Sequence, residues 1–279
     1  MSRWSILLRA GAGALVAAAT LTTLAFAETA GGDALLPDFN IVTPQGFVLQ
    51  KTVDAGKPHW RLGFISAAYN QGTGPALVRG ERSPLRPAEM LAEQIVARSD
   101  GSTSTIPNVG TMKYAVEPSH EHWHLLRFMV YELRRVSDYK LVRPDEKRGF
   151  CLGDRYKVPK AKSPGTPSKA VYVFDCVGKK PAATEVEEGM SIGWGDDYTQ
   201  LRDGQYIDIT GIPAGVYYLV HRVNPSRRLK ESDYRNNTSS LRLQIDWPGG
   251  PTRKPTTTIL AACTNTDRCR TGTYFDPLR

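Results

Sequence analysis

The sequence predicts an all-β protein, an antiparallel β-sandwich with long loops and at most one or two short helices. Short runs rich in β-branched and aromatic residues recur along the chain, and Gly, Pro, Asn and Asp separate them. Only one stretch, Pro87–Arg98, has the spacing of an amphipathic helix. Its narrow apolar face would consist of Met90, Leu91, Gln94, Ile95 and Ala97. Many short strands with little helix are typical of sandwiches and barrels.

The predicted strands follow one another along the chain. They are Phe39–Val42, Trp60–Ile65, Lys113–Val116, His122–Leu133, Tyr139–Val142, Ala170–Asp175, Tyr206–Thr210, Val216–Val223 and Ser240–Ile245. Residues 157–169 are rich in Lys, Pro and Ser, which predicts an exposed loop. The Pro- and Gly-rich run 247–255 predicts the end of the folded domain.

The first residues have the organisation of a secretory signal peptide. A charged start and a short apolar run lead to Ala25-Phe26-Ala27, which predicts cleavage after residue 27. The predicted divisions are a signal peptide over 1–27, a flexible leader over 28–36, one folded domain over 37–247 and a tail over 248–279 with a small disulfide loop. No later stretch is apolar enough to span a membrane, so we expect a secreted or cell-envelope protein.

Net charge and cysteine content further limit which partners and covalent links the protein is expected to have. The formal net charge is +8, but no dense Lys/Arg block or nucleic-acid motif is present, so we expect no nucleic-acid partner. An even number of cysteines, four, in an exported chain predicts two disulfides. Cys263 with Cys269 would close a small loop in the tail, which leaves Cys151 to bridge Cys176. Thiolate metal ligands are the alternative, but no Cys-x-x-Cys pair is present.

Three of the five histidines alternate along one short stretch, as His120, His122 and His124. In a β-strand these side chains share one face, whereas in a helix they would fan around the axis. Three imidazoles together suit copper or zinc. On a flat strand the outer two would lie ~13 Å apart. We therefore expect a bend or bulge within this strand.

Further segments accompany the histidines in a fixed order. They are Trp60–Phe64, Asn70–Thr73, Lys147–Leu152, Gly193–Tyr198, Asp203–Thr210, Gly215–Val220 and Leu229–Asn237. Together with the histidines, they resemble the catalytic domain of the lysyl oxidase family, copper amine oxidases that act on peptidyl lysine. The resemblance covers roughly residues 58–246 and rests on several unrelated motifs in register.

The resemblance implies a site and a reaction. His120, His122 and His124 match the family's copper(II) ligands, and Lys147 and Tyr198 match the pair that forms lysyl tyrosylquinone. The implied reaction oxidises primary amines, either peptidyl lysine or small amines, to aldehydes with O2, and releases ammonia and hydrogen peroxide. A carboxylate should act as the base. The candidates are Asp196 and Asp154, which sit where family members carry Asp, and also Asp197 and Asp203.

The chain also departs from the animal members of the family. Ser119, Trp194 and Gly204 stand where those members carry cysteines, which predicts a different entrance and leaves the substrate open. Cys151 and Cys176 match family cysteines whose partners are missing, which supports a direct bridge between them.

Two rival functions use the same histidines. One is a secreted copper- or zinc-binding β-sandwich module without catalysis, which would not need Lys147 and Tyr198. The other is a zinc hydrolase, which needs a general base. Glu121 points off the ligand face of the predicted strand, which counts against that role.

Overall fold

Strand pairing organises the described part of the chain into three antiparallel sheets. The computed structural model describes residues 31–84, 86–116, 120–147, 149–159, 163–173 and 175–271. In these ranges, the only helical element is the short 3-10 turn Arg202–Gly204. The predicted all-β antiparallel class is confirmed.

The strands of the described residues are numbered in chain order. They are β1 (Ala34–Leu35), β2 (Phe39–Ile41), β3 (Gln45–Asp54), β4 (Lys57–Asn70), β5 (Ala76–Ser83), β6 (Arg86–Arg98), β7 (Thr103–Tyr114), β8 (Trp123–Leu126), β9 (Met129–Arg135), β10 (Leu141–Pro144), β11 (Gly149–Phe150), β12 (Tyr156–Lys157), β13 (Glu185–Met190), β14 (Trp194–Tyr198), β15 (Tyr206–Asp208), β16 (Gly215–Val223), β17 (Thr238–Asp246) and β18 (Thr256–Thr264).

The first sheet has the order β11-β8-β7-β6-β5-β13, and β1 pairs with β6. The second has the order β10-β9-β16-β17-β18. The third has the order β12-β14-β4-β15, and β2 and β3 also pair with β4. The long strand β4 thereby holds both β14, which carries Tyr198, and the β3 hairpin.

All three sheets contribute side chains to one hydrophobic core. The ring of Phe64 in β4 meets Tyr131 in β9 edge-on, with centroids 4.9 Å apart. Phe39 in β2 meets Phe128, which precedes β9, in the same way at 5.1 Å. Each fully buried side chain of this size contributes roughly 1.5–3 kcal/mol. This core packs against the strands that carry the site residues described below.

The helix predicted over Pro87–Arg98 is wrong, because this segment forms β6. Buried and less buried side chains alternate along it, and the buried set includes Met90, Gln94 and Val96. The period of two is not apparent in the sequence because Gln94, a polar residue, occupies a core position. Its amide donates to the Lys230 carbonyl at 2.8 Å and accepts from the Lys230 N–H at 2.7 Å. Pairing with β5 and β7 on both sides then overrides the local helical spacing.

The strand predicted over Ala170–Asp175 is also wrong in its described part, which has no regular structure. Conversely, β18 was not predicted: it adds to β17 at the edge of the second sheet, within the expected tail. The expected leader is ordered at its end, where β1 pairs with β6.

The predicted signal peptide, residues 1–27, lies outside the described residues. Among those that are described, no helix is long and apolar enough to cross a membrane.

Candidate active site

Three histidines meet where the chain enters β8. His120 and His124 are 4% and 3% exposed, and a bend lies at His122 between them. The ring centroids are 5.3 Å apart for His120 and His122, 4.6 Å for His122 and His124, and 5.8 Å for His120 and His124. A flat strand would hold the outer two backbones ~13 Å apart. The predicted bend is therefore confirmed, and it brings the three imidazoles into one cluster.

Burial keeps His124 neutral. Desolvation, together with the positive charge of Lys147 and the two other rings, lowers its pKa to about 2. A neutral imidazole offers a nitrogen lone pair, which is the form that binds copper or zinc. Within the described ranges, no group of three or more His, Cys, Asp or Glu side chains is placed so that it could hold a metal ion without rearrangement. The cluster thus places the uncharged imidazole of His124 beside the rings of His120 and His122.

Lys147 lies between β10 and β11, and its side chain is buried. Its Nζ is 4.5 Å from the centroid of the Tyr198 ring and 5.1 Å from that of Phe150. Gly204, at φ +77°, packs against this segment. A Cβ there would lie 2.4 Å from the Glu146 carbonyl oxygen and 2.9 Å from the Lys147 nitrogen. Only glycine permits this approach, so the turn before β15 helps to place Lys147 over the Tyr198 ring.

Tyr198 ends β14, where it pairs with Ser66 of β4. Its hydroxyl accepts a hydrogen bond from the Cys151 N–H at 3.0 Å and lies 3.0 Å from Oδ2 of Asp196, to which it can donate. The Phe150 ring meets the Tyr198 ring edge-on, with centroids 5.0 Å apart. Burial raises the pKa of Tyr198 well above its usual value. The phenol is therefore neutral and held in one orientation.

Asp196 lies beside that hydroxyl and is almost fully buried. Burial raises its pKa to about 8, although the nearby Arg155 guanidinium and the bond from Tyr198 oppose the shift. Arg155 Nε is 3.7 Å from Asp196 Oδ1. The neighbouring Asp197 points outward and is exposed. Asp196 is thus a carboxyl group that can change protonation state near neutral pH.

The structure gives Asp154 different partners. Its carboxylate accepts hydrogen bonds from the backbone N–H groups of Val171 at 2.8 Å and Tyr172 at 3.1 Å. It also accepts from the N–H and the hydroxyl of Ser191, both at 2.7 Å. The first two bonds hold the irregular segment that lies where a strand was predicted, and the other two join it to Ser191, directly after β13. The side chain of Asp203 lies outside the described part of the chain.

Both predicted disulfides are confirmed, Cys151–Cys176 and Cys263–Cys269. The first joins the segment that contacts Tyr198 to the segment that contacts the histidine stretch. Cys151 directly follows β11 and holds Tyr198 through its backbone, while the Cys176 carbonyl accepts a bond at 3.0 Å from Trp123 N–H, between two of the histidines.

An open cavity of about 410 Å³ reaches these groups. It is lined by His120, His122, Cys151, Arg155, Val173, Asp175, Asp196, Asp197, Tyr198, Thr199 and Arg202. The cavity thus exposes two of the three histidines, the phenol and the adjacent carboxyl group to a small molecule. Lys147 is not among the lining residues and lies behind the Tyr198 ring.

Sequence reasoning missed Arg155 and Glu188. Arg155 also approaches the disulfide, with one guanidinium nitrogen 3.6 Å from Cys151 Sγ. Glu188 is fully buried in β13 and accepts a bond from Leu152 N–H at 3.1 Å. Burial raises its pKa well above the usual value. Nothing in the pattern Glu187-Glu188-Gly distinguishes this carboxyl from a solvated one, because the strand pairing decides which side chain turns inward.

Gly149 permits the close packing of β11 against His124, which leads to a prediction. A Cβ at position 149 would lie 2.6 Å from the His124 Cβ. Gly149→Ala should therefore displace His124 and lower stability by about 1–3 kcal/mol, and if the three histidines hold copper, as the sequence predicts, it should weaken that binding. Thermal unfolding and copper titration measure the two effects. Gly215→Ala is the control, because its Cβ would meet the nearest side chain at an ordinary 3.7 Å. Wild-type copper affinity in Gly149→Ala would contradict the prediction.

Comparison with known proteins finds one family and several relatives. The family model described as lysyl oxidase matches residues 81–247. Protein-lysine 6-oxidase of Sus scrofa is 29% identical over 153 residues, which are 54% of this chain and 54% of that protein. The Homo sapiens protein-lysine 6-oxidase is 29% identical over 153 residues, 54% of this chain and 32% of that one. Lysyl oxidase homolog 2 of Rattus norvegicus is 30% identical over 169 residues, 60% and 19% of the two chains. The match spans about half the length of these relatives or less.

Proposed function

Because the chain belongs to the lysyl oxidase family, we propose that it is a copper-dependent amine oxidase. Its substrates are primary amines, either peptidyl lysine or small amines. The amine, O2 and water are converted to an aldehyde, ammonia and hydrogen peroxide. The observation that carries the proposal is the position of Lys147 Nζ, 4.5 Å from the centroid of the Tyr198 ring. A metal-binding module without catalysis has no use for this pair.

The donor set of the histidine cluster fits copper(II). Rings that bind one ion through nitrogens at about 2 Å have centroids on the order of 5 Å apart, and the observed separations are 4.6 to 5.8 Å. His120, His122 and His124 would hold the ion. Bound copper supplies the activation of O2 that oxidation of the Tyr198 ring requires.

Lys147 and Tyr198 fit the lysyl tyrosylquinone cofactor. Burial of both side chains fixes the amine against the face of the ring and removes bulk water that would compete with the amine. The Cys151 backbone, Asp196 and the edge of Phe150 hold the ring in place. The completed quinone supplies an electrophilic carbonyl to which a primary amine can bind.

We assign the role of base to Asp196. It lies on the cavity wall beside the Tyr198 hydroxyl, and a pKa of about 8 lets it take up and release a proton under ordinary conditions. Asp154 instead uses its carboxylate to hold backbone N–H groups and Ser191. These bonds support a structural role, that of holding the segment just before Val173, which does line the cavity.

We further propose that residues 1–27 direct export and that 37–247 contain the catalytic unit. The two disulfides support an oxidising destination outside the cytoplasm. Ordered pairing of β18 with β17 suggests that the unit also needs the strand in the expected tail.

The cofactor can be tested directly by mass spectrometry. Protein matured with copper and O2 should contain a covalent link between the peptides that carry Lys147 and Tyr198, and a visible absorption band that phenylhydrazine shifts. Both should be missing in Lys147→Ala and His122→Ala, because the first removes the amine and the second a copper ligand.

Lys140→Ala is the matched control for this experiment, because that lysine is exposed on the surface. It should retain the link and the band. If wild-type protein with a full complement of copper forms no link, the oxidase proposal fails and a metal-binding module becomes the better assignment.

A further inference from the structure

Glu188 is a buried acid to which the proposed reaction gives no role. It lies in β13 and is 0% exposed. Its Oε2 accepts a hydrogen bond from the Leu152 N–H at 3.1 Å. Its other oxygen, Oε1, is also buried and has no hydrogen-bond partner of ordinary geometry within the described residues. Because burying a carboxyl group costs free energy, the contact with Leu152 requires an explanation.

The Leu152 N–H belongs to the same peptide unit as the Cys151 carbonyl, which contacts the phenol of Tyr198. The Tyr198 hydroxyl accepts a hydrogen bond from the Cys151 N–H at 3.0 Å, and it can donate to the Cys151 carbonyl oxygen at 3.2 Å. In a trans peptide the C=O and the N–H point in opposite directions. The Cys151–Leu152 peptide therefore lies between Tyr198 on one side and Glu188 on the other.

Strand β13 holds Leu152 at both of its polar backbone groups. Glu188 accepts from its N–H, and the N–H of the next residue, Gly189, donates to the Leu152 carbonyl at 3.3 Å. β13 pairs with β5 in the first sheet, whereas Tyr198 ends β14 in the third sheet. The Leu152 segment thus connects the first sheet to the phenol that the third sheet carries.

Glu188 makes this contact as a neutral acid. Burial raises its pKa well above the usual value, and the charge of Asp196 adds to the shift, although the Leu152 and Leu125 N–H groups oppose it. Two neighbouring buried carboxyl groups do not readily ionise together. A neutral Glu188 leaves Asp196 as the group that ionises. The carbonyl oxygen of a glutamine, which has the same shape, would make the same bond to Leu152.

We propose that Glu188 is a positioning residue for Tyr198, because its carboxyl group holds the Cys151–Leu152 peptide in the orientation that directs the Cys151 carbonyl at the Tyr198 hydroxyl. Hydrogen bonds in series polarise one another, so the bond from Leu152 to Glu188 makes this carbonyl a better acceptor. The phenol then has two acceptors in fixed positions, the carbonyl and Oδ2 of Asp196 at 3.0 Å. This role rests on the proposed oxidase reaction, in which the Tyr198 ring must face Lys147.

The contact can be tested in metal-free protein, before any oxidation takes place. Tyrosine labelled with 13C at Cζ reports the hydrogen bonds of the phenol, and loss of a resonance in Tyr198→Phe assigns it. Glu188→Leu removes the acceptor, so the Tyr198 resonance should shift and the Leu152 amide should exchange at least about tenfold faster. Glu188→Gln should keep the wild-type resonance. Glu188→Asp, which withdraws the acceptor by one methylene, should shift the resonance in the same direction and replaces Glu188→Leu if that variant does not fold.

The second readout is the rate at which the covalent link between Lys147 and Tyr198 forms after copper and O2 are added. In Glu188→Leu the link should form at least about tenfold more slowly than in wild type, because the ring is no longer held against the amine. Glu188→Gln should stay within about twofold of the wild-type rate, because the neutral amide keeps the bond to Leu152.

Gln94→Leu is the matched control. Gln94 is also buried in the first sheet and accepts a hydrogen bond from a backbone N–H, that of Lys230. Its replacement should lower the melting temperature, as Glu188→Leu does, yet leave the Tyr198 resonance and the rate of link formation at their wild-type values.

The proposal is overturned if Glu188→Leu leaves the Tyr198 resonance unchanged, or if Gln94→Leu shifts that resonance equally. It is also overturned if Glu188→Gln forms the link as slowly as Glu188→Leu, since that result requires an acid at this position. If wild-type protein forms no link while the Tyr198 resonance responds as described, the oxidase proposal fails and the contact through Leu152 is upheld.

Discussion

Asp196→Asn should lower the turnover of a primary amine by about 100- to 10,000-fold, the usual contribution of a positioned general base. The amide can still accept the bond from the Tyr198 hydroxyl, but it cannot take up a proton. Steady-state oxidation of a small amine, with hydrogen peroxide as the readout, measures the effect. In wild-type protein, activity should rise with pH through about 8 as Asp196 ionises. The residual activity of the variant should lack this rise.

The same substitution should stabilise the protein at alkaline pH. Burial raises the pKa of Asp196 from 3.8 to about 8, so the folded state holds this proton more tightly than the unfolded chain does. The associated stability is fully present below pH of about 4 and is lost as pH rises to about 8. Asparagine does not ionise, so the variant does not lose this stability as pH rises. At pH 9, the free energy of unfolding of Asp196→Asn should therefore exceed that of wild type by on the order of a few kcal/mol. The variant should accordingly unfold at a higher temperature.

Asp197→Asn is the matched control, since it makes the same chemical change at the exposed neighbour. It should retain far more turnover than Asp196→Asn, and it should shift the pH dependence of unfolding only slightly, because the charge of Asp197 is a lesser cause of the raised pKa of Asp196. If Asp196→Asn retains full turnover with an unchanged pH profile, another group is the base, and the assignment to Asp196 is wrong.

Removal of the Cys151–Cys176 disulfide by a double substitution to alanine should damage both stability and activity. The cysteines are 25 residues apart, and the loss of such a cross-link costs about 3.5 kcal/mol in the chain-entropy estimate. The bridge also holds Cys151 against Tyr198 and Cys176 against Trp123. We expect turnover to fall at least about tenfold, because the ring and the histidine cluster lose their common anchor.

The tail disulfide provides the control. Cys263 and Cys269 are six residues apart, so their replacement by alanine should cost less, about 2.4 kcal/mol. Cys263 belongs to β18 in the second sheet, whose strands contribute no residue to the active-site cavity. Turnover should remain near wild type. Denaturant unfolding and amine oxidation under matched conditions compare the two pairs, and equal losses of turnover would contradict the anchoring role of Cys151–Cys176.

Local patterns predicted much of the site because its chemistry lies in compact motifs. His120, His122 and His124 alternate within five residues, and the need for a bend followed from strand geometry alone. The even cysteine count and spacing predicted both disulfides. These features depend on residue type and short separations, which a single sequence displays directly.

Other features depend on contacts between distant segments, and the sequence did not reveal them. The Lys230 backbone satisfies Gln94 from 136 positions away, and this bond makes a polar residue acceptable inside β6. Glu188 looks like a surface acid until pairing with β5 turns it inward. The choice between Asp154 and Asp196 also required the structure, because only the hydrogen-bond partners distinguish two acids in similar contexts.

The sequence by itself determined the all-β class, the histidine cluster and the cysteine pairs, since each is encoded in local period, spacing or count. Only the tertiary structure decided that Lys147 lies over the Tyr198 ring and that Asp196 is the buried acid beside it. The first arises from packing of the segment before β11 on β14, which lies some 50 positions further along the chain. The second arises from the pairing of β14 with β4, which buries Asp196 and Tyr198 together. The physical reason is that pKa and reactivity depend on burial and proximity. Both are set by contacts between segments that are distant in sequence, so no single segment determines them.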